Sequence, residues 1–396
     1  MATFLLVIIF ITFIGLGLPD SSIGAAWPAL YLDLGLHVGM QSLLSAIVSF
    51  STVVASMFSA RLINKFGTSK VTAFSTLLTA LALLGFSFSN SLWWLLALAL
   101  PLGFGAGAID AALNNYVATH YKSLAMNCLH CFYGVGVTVS PYIFSFTLMN
   151  NNNWRLGFRI IFLIQIVIAI VCFATLSIWS KVKEKEPEKN DFTPETLSLK
   201  QMAKMRPVRL AWVLFFSTCA LEFLCGTWGC TFLVKTRALN ESSAAGLITL
   251  YYLGITLGRL LSGFISKKLS CGGILTLGFS LVAIGVASLF INLPPWAIGM
   301  GFLLIGLGNG PTFPNLTHAT PKIYGRERSQ SIIGTQMASC NLGILFMYAV
   351  SGPLFQTISF KVFPYFALVS YVVMVLAFVQ YQRVISKEGK SFYSWH

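Results

Sequence analysis

Three carboxylates occupy positions where a carboxylate is costly. Of the twelve acidic residues, Asp20, Asp110 and Glu222 fall inside long apolar runs; the others lie in one polar stretch, near the ends of apolar runs or in the tail. A charge at the centre of a bilayer costs at least ~2.5–3.5 kcal/mol on insertion scales. A neutral side chain would join two helices at lower cost. What a carboxyl group adds is proton chemistry, because removal from water favours its neutral form. An acid buried in this way can load and release a proton near neutral pH, as coupling to a proton gradient requires.

Depth, counted at the helical rise, groups these acids with other polar side chains. Asp110 precedes Lys122 by 12 residues, Glu222 follows Arg209 by 13 and Asp20 precedes Asp33 by 13, so each lies ~18–20 Å from a boundary. Asn309 and Asn341 are equally deep, counted from Lys322 and Arg328. They serve either the same site or helix-to-helix hydrogen bonds. Asn114 and His130 lie eight residues to either side of Lys122, ~12 Å deep. Asn127 shares a face with His130, which fits a proton relay, a hydroxyl partner or a packing histidine. Arg259 is ~12 Å deep on the same measure and is expected to snorkel or to meet a helix end.

Asp20, Gly24, Trp27 and Tyr31 line one helix face at i, i+4, i+7 and i+11,. Trp27 and Trp228 fall in the outer third of their runs. Aromatic rings beside hydrogen-bonding groups suit a sugar, whose C–H faces stack while its hydroxyls need partners. Rings at that depth also suit an interfacial belt. Cys128 and Cys131 flank His130, but no further ligand cluster accompanies them. No metal site and no cofactor are predicted, and the eight cysteines are expected to be free thiols,.

These side chains need elements to hold them. Hydrophobic residues make up 56% of the 396, and charged residues only 10%, against roughly 25% in soluble domains. That excludes a soluble enzyme, a disordered chain and a nucleic-acid binder, and makes the lipid bilayer the solvent. Runs of about 20 apolar residues predict twelve helical spans, at 3–32, 38–62, 71–89, 92–118, 124–149, 156–180, 209–234, 243–266, 272–292, 295–320, 328–356 and 362–382. The first run lacks a basic leader and continues into a full span, so no cleavable signal is expected. With both termini cytoplasmic, 20 of the 26 basic residues lie inside and 5 outside, Arg259 being within a span. This satisfies the positive-inside rule, so the net charge of +14 reflects topology and not nucleic-acid binding. Prolines 19, 28, 141, 311, 314 and 353 are expected to break or bend their helices.

The polar stretch 181–208 reads as a cytoplasmic linker with a short amphipathic helix near Leu197–Met205. It separates an N-terminal six-helix half, 1–180, from a C-terminal half, 209–396, with a short tail. The halves carry matching segments. Leu102-Gly-Phe-Gly-Ala-Gly107 aligns with Ile305-Gly-Leu-Gly-Asn-Gly310, and Ala60–Lys65 with Gly263–Lys268, both at an offset of 203. Two matches at one offset favour duplication. A midplane ring of polar groups shared by two repeats is what alternating access needs.

Twelve spans, a repeat and a basic loop after span two resemble the major facilitator superfamily across the whole chain. That family's loop pattern is Gly-x-x-x-Asp-Arg-x-Gly-Arg-Arg-Lys. Here it reads Ala60-Arg-Leu-Ile-Asn64-Lys65-Phe-Gly67-Thr68-Ser69-Lys70, without the Asp–Arg pair. The resemblance implies a cytoplasmic gating loop at Asn64, Lys65 and Gly67. Leu18-Pro-Asp20-Ser, Asp110-Ala-Ala-Leu-Asn114-Asn115-Tyr-Val and Met126-Asn-Cys-Leu-His130-Cys-Phe-Tyr133-Gly are similar to the fucose permease branch, which has a Glu at the position of Asp110. Its polar residue on helix five falls at Tyr133, and His130 stands where it has an amide. Glu222-x-x-x-Gly226-x-Trp228 looks like relatives of the same branch. The likeness implies proton coupling and sugar binding at Asp20 and Asp110.

The reading is a proton-coupled symporter of a small sugar or polyol, with Asp20, Asp110 and Glu222 in coupling and Trp27, Asn114, His130, Trp228, Asn309 and Asn341 in substrate binding. The alternative is a multidrug or metabolite exporter on the same fold. No zinc-helix motif, Ser/His pair or paired-Asp signature supports an intramembrane enzyme. A monomer in a plasma membrane, the bacterial inner membrane by its short loops, is expected.

Overall fold

The computed structural model describes residues 2–121, 123–149, 153–179, 181–182 and 197–394. Lys122, the linker segment 183–196 and the side chain of Asn127 lie outside the described residues.

In hydrocarbon, backbone N–H and C=O groups must be satisfied within the segment, and a helix does this alone. The chain forms α1 (Ala2–Asp33), α2 (Met40–Phe66), α3 (Thr68–Ser87), α4 (Leu92–His120), α5 (Ser123–Leu148), α6 (Trp154–Ala174) and the short α7 (Leu176–Trp179). C-terminal to residue 196 come α8 (Leu199–Lys204), α9 (Arg206–Arg237), α10 (Glu241–Ile265), α11 (Cys271–Ser288), α12 (Pro295–Asn309), α13 (Thr312–Tyr324), α14 (Arg326–Thr357) and α15 (Phe363–Ser386). Among the described residues, eleven of these helices are long and apolar enough to cross a membrane. The protein is an all-α membrane protein.

The predicted span 295–320 is divided into α12 and α13 at Gly310–Pro311. Pro311, which has no N–H, caps α13, and Pro314 falls in its first turn, where a missing donor is harmless. Pro19, Pro28, Pro141 and Pro353 do not break their helices. The linker helix forms as α8, with Ser198 and Gln201 in a reciprocal capping box,, and its apolar Met202 is buried.

The chain divides into two compact units. One comprises Met1–Pro187, Leu233–Thr249 and Gly352–Thr357; the other comprises Glu188–Phe232, Leu250–Ser351 and Ile358–His396. In the first, α1 packs along α5, while α4 lies against both α2 and α3. The glycines set these approaches. A Cβ at Gly103 would overlap the Val48 carbonyl, one at Gly105 the Ser75 carbonyl and one at Gly107 the Thr52 carbonyl. In the second unit Gly306, Gly308 and Gly310 stand in the same relation to the carbonyls of Tyr251, Gly278 and Ile255. Glycines and partners are all displaced by the same 203 positions, so the sequence repeat is also a packing repeat. Small residues permit such close helix contacts in a bilayer, where apolar burial gives no advantage over lipid.

Candidate functional site

Asp20 lies on the most enclosed helix of the first unit. Between Thr12 and Tyr31 every residue of α1 is buried or half-buried except Asp20, which is exposed. Gly17, one turn earlier, lets α1 close on α5, where a Cβ would overlap the Tyr133 carbonyl; Gly136 of α5 closes on the Ile14 carbonyl in return. This crossing brings the Tyr133 hydroxyl within 2.6 Å of Asp20 Oδ2, to which it donates. On α4 the Asn114 amide donates to Asp110 Oδ1 at 2.8 Å and to the Asp110 carbonyl at 2.9 Å. α4, which carries Asp110, also contacts α1. His130, one turn before Tyr133, is exposed, with its ring edge-on to Phe13 at 6.0 Å. Two acids with neutral hydrogen-bond partners, one of them open to solvent, can exchange protons and accept hydroxyls.

The second unit holds a different arrangement. Glu222 Oε1 accepts from Arg259 Nη2 at 3.0 Å, and the two side chains are 21% and 23% exposed. The Tyr251 hydroxyl donates to the Glu222 carbonyl at 2.9 Å. Arg259 therefore neither snorkels nor meets a helix end; it pairs with an acid 37 residues away. Asn309 is buried. Its Nδ2 donates to the Thr218 carbonyl at 3.2 Å, and its Oδ1 has no partner among the described residues. That is a helix-to-helix bond, the second of its two expected roles. Asn341 is exposed on α14.

The two tryptophans do not offer ring faces. Trp27 is fully buried, with Nε1 donating to the Val38 carbonyl at 2.9 Å and the ring stacked on Tyr31. Trp228 is fully buried, with Nε1 donating to Ser351 Oγ at 2.8 Å. Both are packing residues in this structure, in place of the expected stacking platform. Between α2 and α3, Gly67 has φ +83°, a left-handed conformation that glycine adopts without strain. Lys65 lies over the Phe66 ring at 5.2 Å, and Asn64 is exposed. Among the described residues, the eight cysteines are free thiols.

Long apolar helices, a packing repeat and acids set within the spans describe a transporter, and the family match decides which kind. The model of the Major Facilitator Superfamily matches residues 5–348 and again 239–390. The chain belongs to the Major Facilitator Superfamily. This facilitator is a transporter and not an enzyme. It is 21% identical to Bypass of stop codon protein 6 of Saccharomyces cerevisiae, over 96% of this chain and 83% of that protein. It is 25% identical to the glucose/mannose transporter GlcP of Bacillus subtilis, over 61% of this chain and 60% of that one. It is also 25% identical to a multi-drug resistance efflux pump PmrA homolog of Lactococcus lactis, over 87% and 86%. Among solved structures, a mutant of the nucleoside transporter NupG superposes with a TM-score of 0.71 at 11% identity, covering 94% of this chain and 98% of that one.

Proposed function

We propose that this facilitator is a proton-coupled symporter of a small sugar or polyol that works by alternating access. The observation that carries the reading is Asp20, the one exposed residue between Thr12 and Tyr31 of α1, with the Tyr133 hydroxyl on its carboxylate and Asp110 on the contacting helix α4. Asp20 and Asp110 carry the proton. Asn114, His130 and Asn341 supply hydroxyl partners, and Asn64 and Lys65 at the end of α2, with Gly67 after it, form the cytoplasmic gating segment that adjusts as the carrier turns over. The protein acts as a monomer in a plasma membrane, the bacterial inner membrane, with both termini cytoplasmic and solute, protons and lipid as its partners. The similarity to a glucose/mannose transporter supports a hydroxylated solute. Purified protein in liposomes is expected to accumulate labelled glucose, mannitol or uridine only when the exterior is more acidic than the lumen. Equal filling with and without the gradient would leave a uniporter.

A second reading is drug export, favoured by the similarity to the lactococcal efflux pump over 87% of the chain. It requires expulsion of apolar cations on the same gradient and no accumulation of sugars.

A further inference from the structure

We infer, on the reading of this chain as a carrier of hydroxylated solutes, that Glu222 is a fixed acceptor for a solute hydroxyl, held by Arg259, and does not carry the transported proton. Three observations lead there. First, one carboxylate oxygen of Glu222 is taken by Arg259, while no described residue bonds Oε2, and a fifth of the side chain is exposed. The uncovered part of the side chain is where a solute hydroxyl would meet it.

Second, the partners differ in kind from those of the other two acids. Asp20 is held by a phenol and Asp110 by an amide, and both partners stay neutral whether the acid is charged or not. Glu222 is held by a guanidinium, which is always charged. A proton arriving on Glu222 would strip Arg259 of its counter-ion inside a span at every cycle, whereas a proton arriving on Asp20 strands nothing. Among the described residues, the other titratable groups that interact with Glu222 are Cys219 and Cys225 on α9 and Tyr251 on α10, with Cys340 beside Cys219 and Tyr252 beside Tyr251. Thiols and phenols are neutral at neutral pH, so Arg259 is the charge that Glu222 meets.

Third, the site is built. The Tyr251 hydroxyl holds the Glu222 carbonyl. One turn on, Gly226 leaves room for the Tyr252 hydroxyl, which a Cβ there would crowd. A charged acceptor on a fixed backbone suits a hydroxyl, since hydrogen bonds to ionised groups are about twice as strong as neutral ones.

The test separates charge from binding. Infrared difference spectra of the purified protein, taken from mildly alkaline to mildly acidic pH, follow the protonated-carboxyl band without any solute. The band is expected to shrink in Asp20→Asn and Asp110→Asn and to be unchanged in Glu222→Gln. Arg259→Gln is expected to gain a further titrating carboxyl, which the Glu222→Gln/Arg259→Gln double variant lacks. Calorimetry with glucose, mannitol and uridine then reads the acceptor role. Glu222→Gln is expected to bind the recognised probe about ten- to a hundred-fold more weakly. A band lost in Glu222→Gln, or an affinity equal to wild type, overturns the inference. Failure of all three probes to bind wild type overturns the sugar reading and the acceptor role with it, while the spectra still decide whether Glu222 titrates.

Discussion

A tryptophan in the outer third of a span can serve a substrate or the packing of its own helix, and the indole N–H tells the two apart. Trp27 and Trp228 each spend theirs inside the protein, on the Val38 carbonyl and on Ser351 Oγ. Trp27→Ala should therefore destabilise the fold by about 3–5 kcal/mol, the range for emptying a buried aromatic site. Trp27→Phe should cost about 1 kcal/mol for the lost hydrogen bond, plus a smaller cavity. Unfolding in detergent measures both, with exposed Trp296 as the control. Full stability in Trp27→Ala together with weakened solute binding would restore the stacking role. The sequence places Trp27 on the face of Asp20 by spacing, but spacing cannot say which part of a face is covered. The structure leaves Asp20 open and closes Trp27 under Tyr31 and Val38. The acids stand out in the sequence because their type is wrong for the surrounding solvent. Tyr133 does not, because tyrosine is at home in an apolar helix. Arg259 is visible but its partner is not: depth counted along each backbone sets it apart from Glu222, and that count ignores the reach of a long guanidinium side chain.

Helices have their own legibility. The glycine segments 102–107 and 305–310 reveal a repeat, yet only the structure shows what the glycines touch, namely the same backbone carbonyls in both copies. The broken tenth span follows from Gly310 beside Pro311. Pro19, Pro28, Pro141 and Pro353 leave their helices unbroken, because a long apolar helix packed on its neighbours absorbs one missing hydrogen bond. The α1–α5 crossing yields a prediction at this scale. Gly136→Ala places a methyl group on the Ile14 carbonyl, and the helices must part or strain. The expected loss is about 1–3 kcal/mol, with proton coupling impaired because Tyr133, one turn away, is drawn off Asp20. Gly334→Ala on α14 meets nothing within contact distance and should be neutral or up to ~1 kcal/mol more stable. Thermal unfolding of the two variants in one detergent compares them. Equal losses would show that the crossing is not the constraint.

For the whole molecule, the deciding quantity is charge inside the spans. Asp20, Asp110, Glu222 and Arg259 are the carboxylic acids and the guanidinium set deep in the spans. With Glu222 and Arg259 paired, two acids remain without a cation. An empty carrier that turned over with both ionised would move negative charge through the membrane field, at ~2.3 kcal/mol per charge per 100 mV. Loading protons removes that penalty and ties the solute to the gradient. One pH unit is worth about 1.36 kcal/mol per proton. A gradient of that size should therefore concentrate solute about ten-fold if one acid couples and about a hundred-fold if both do. Asp20→Asn and Asp110→Asn should each lower that ceiling, and the double variant should hold the ratio near unity. At least one single variant should still exchange labelled for unlabelled solute, because the amide keeps the carboxylate's shape but cannot cycle a proton. Accumulation ratios in liposomes of matched protein content, with the membrane potential clamped to zero, read the stoichiometry directly. If the double variant still concentrates solute against its gradient, the two acids are structural and the driving ion enters elsewhere.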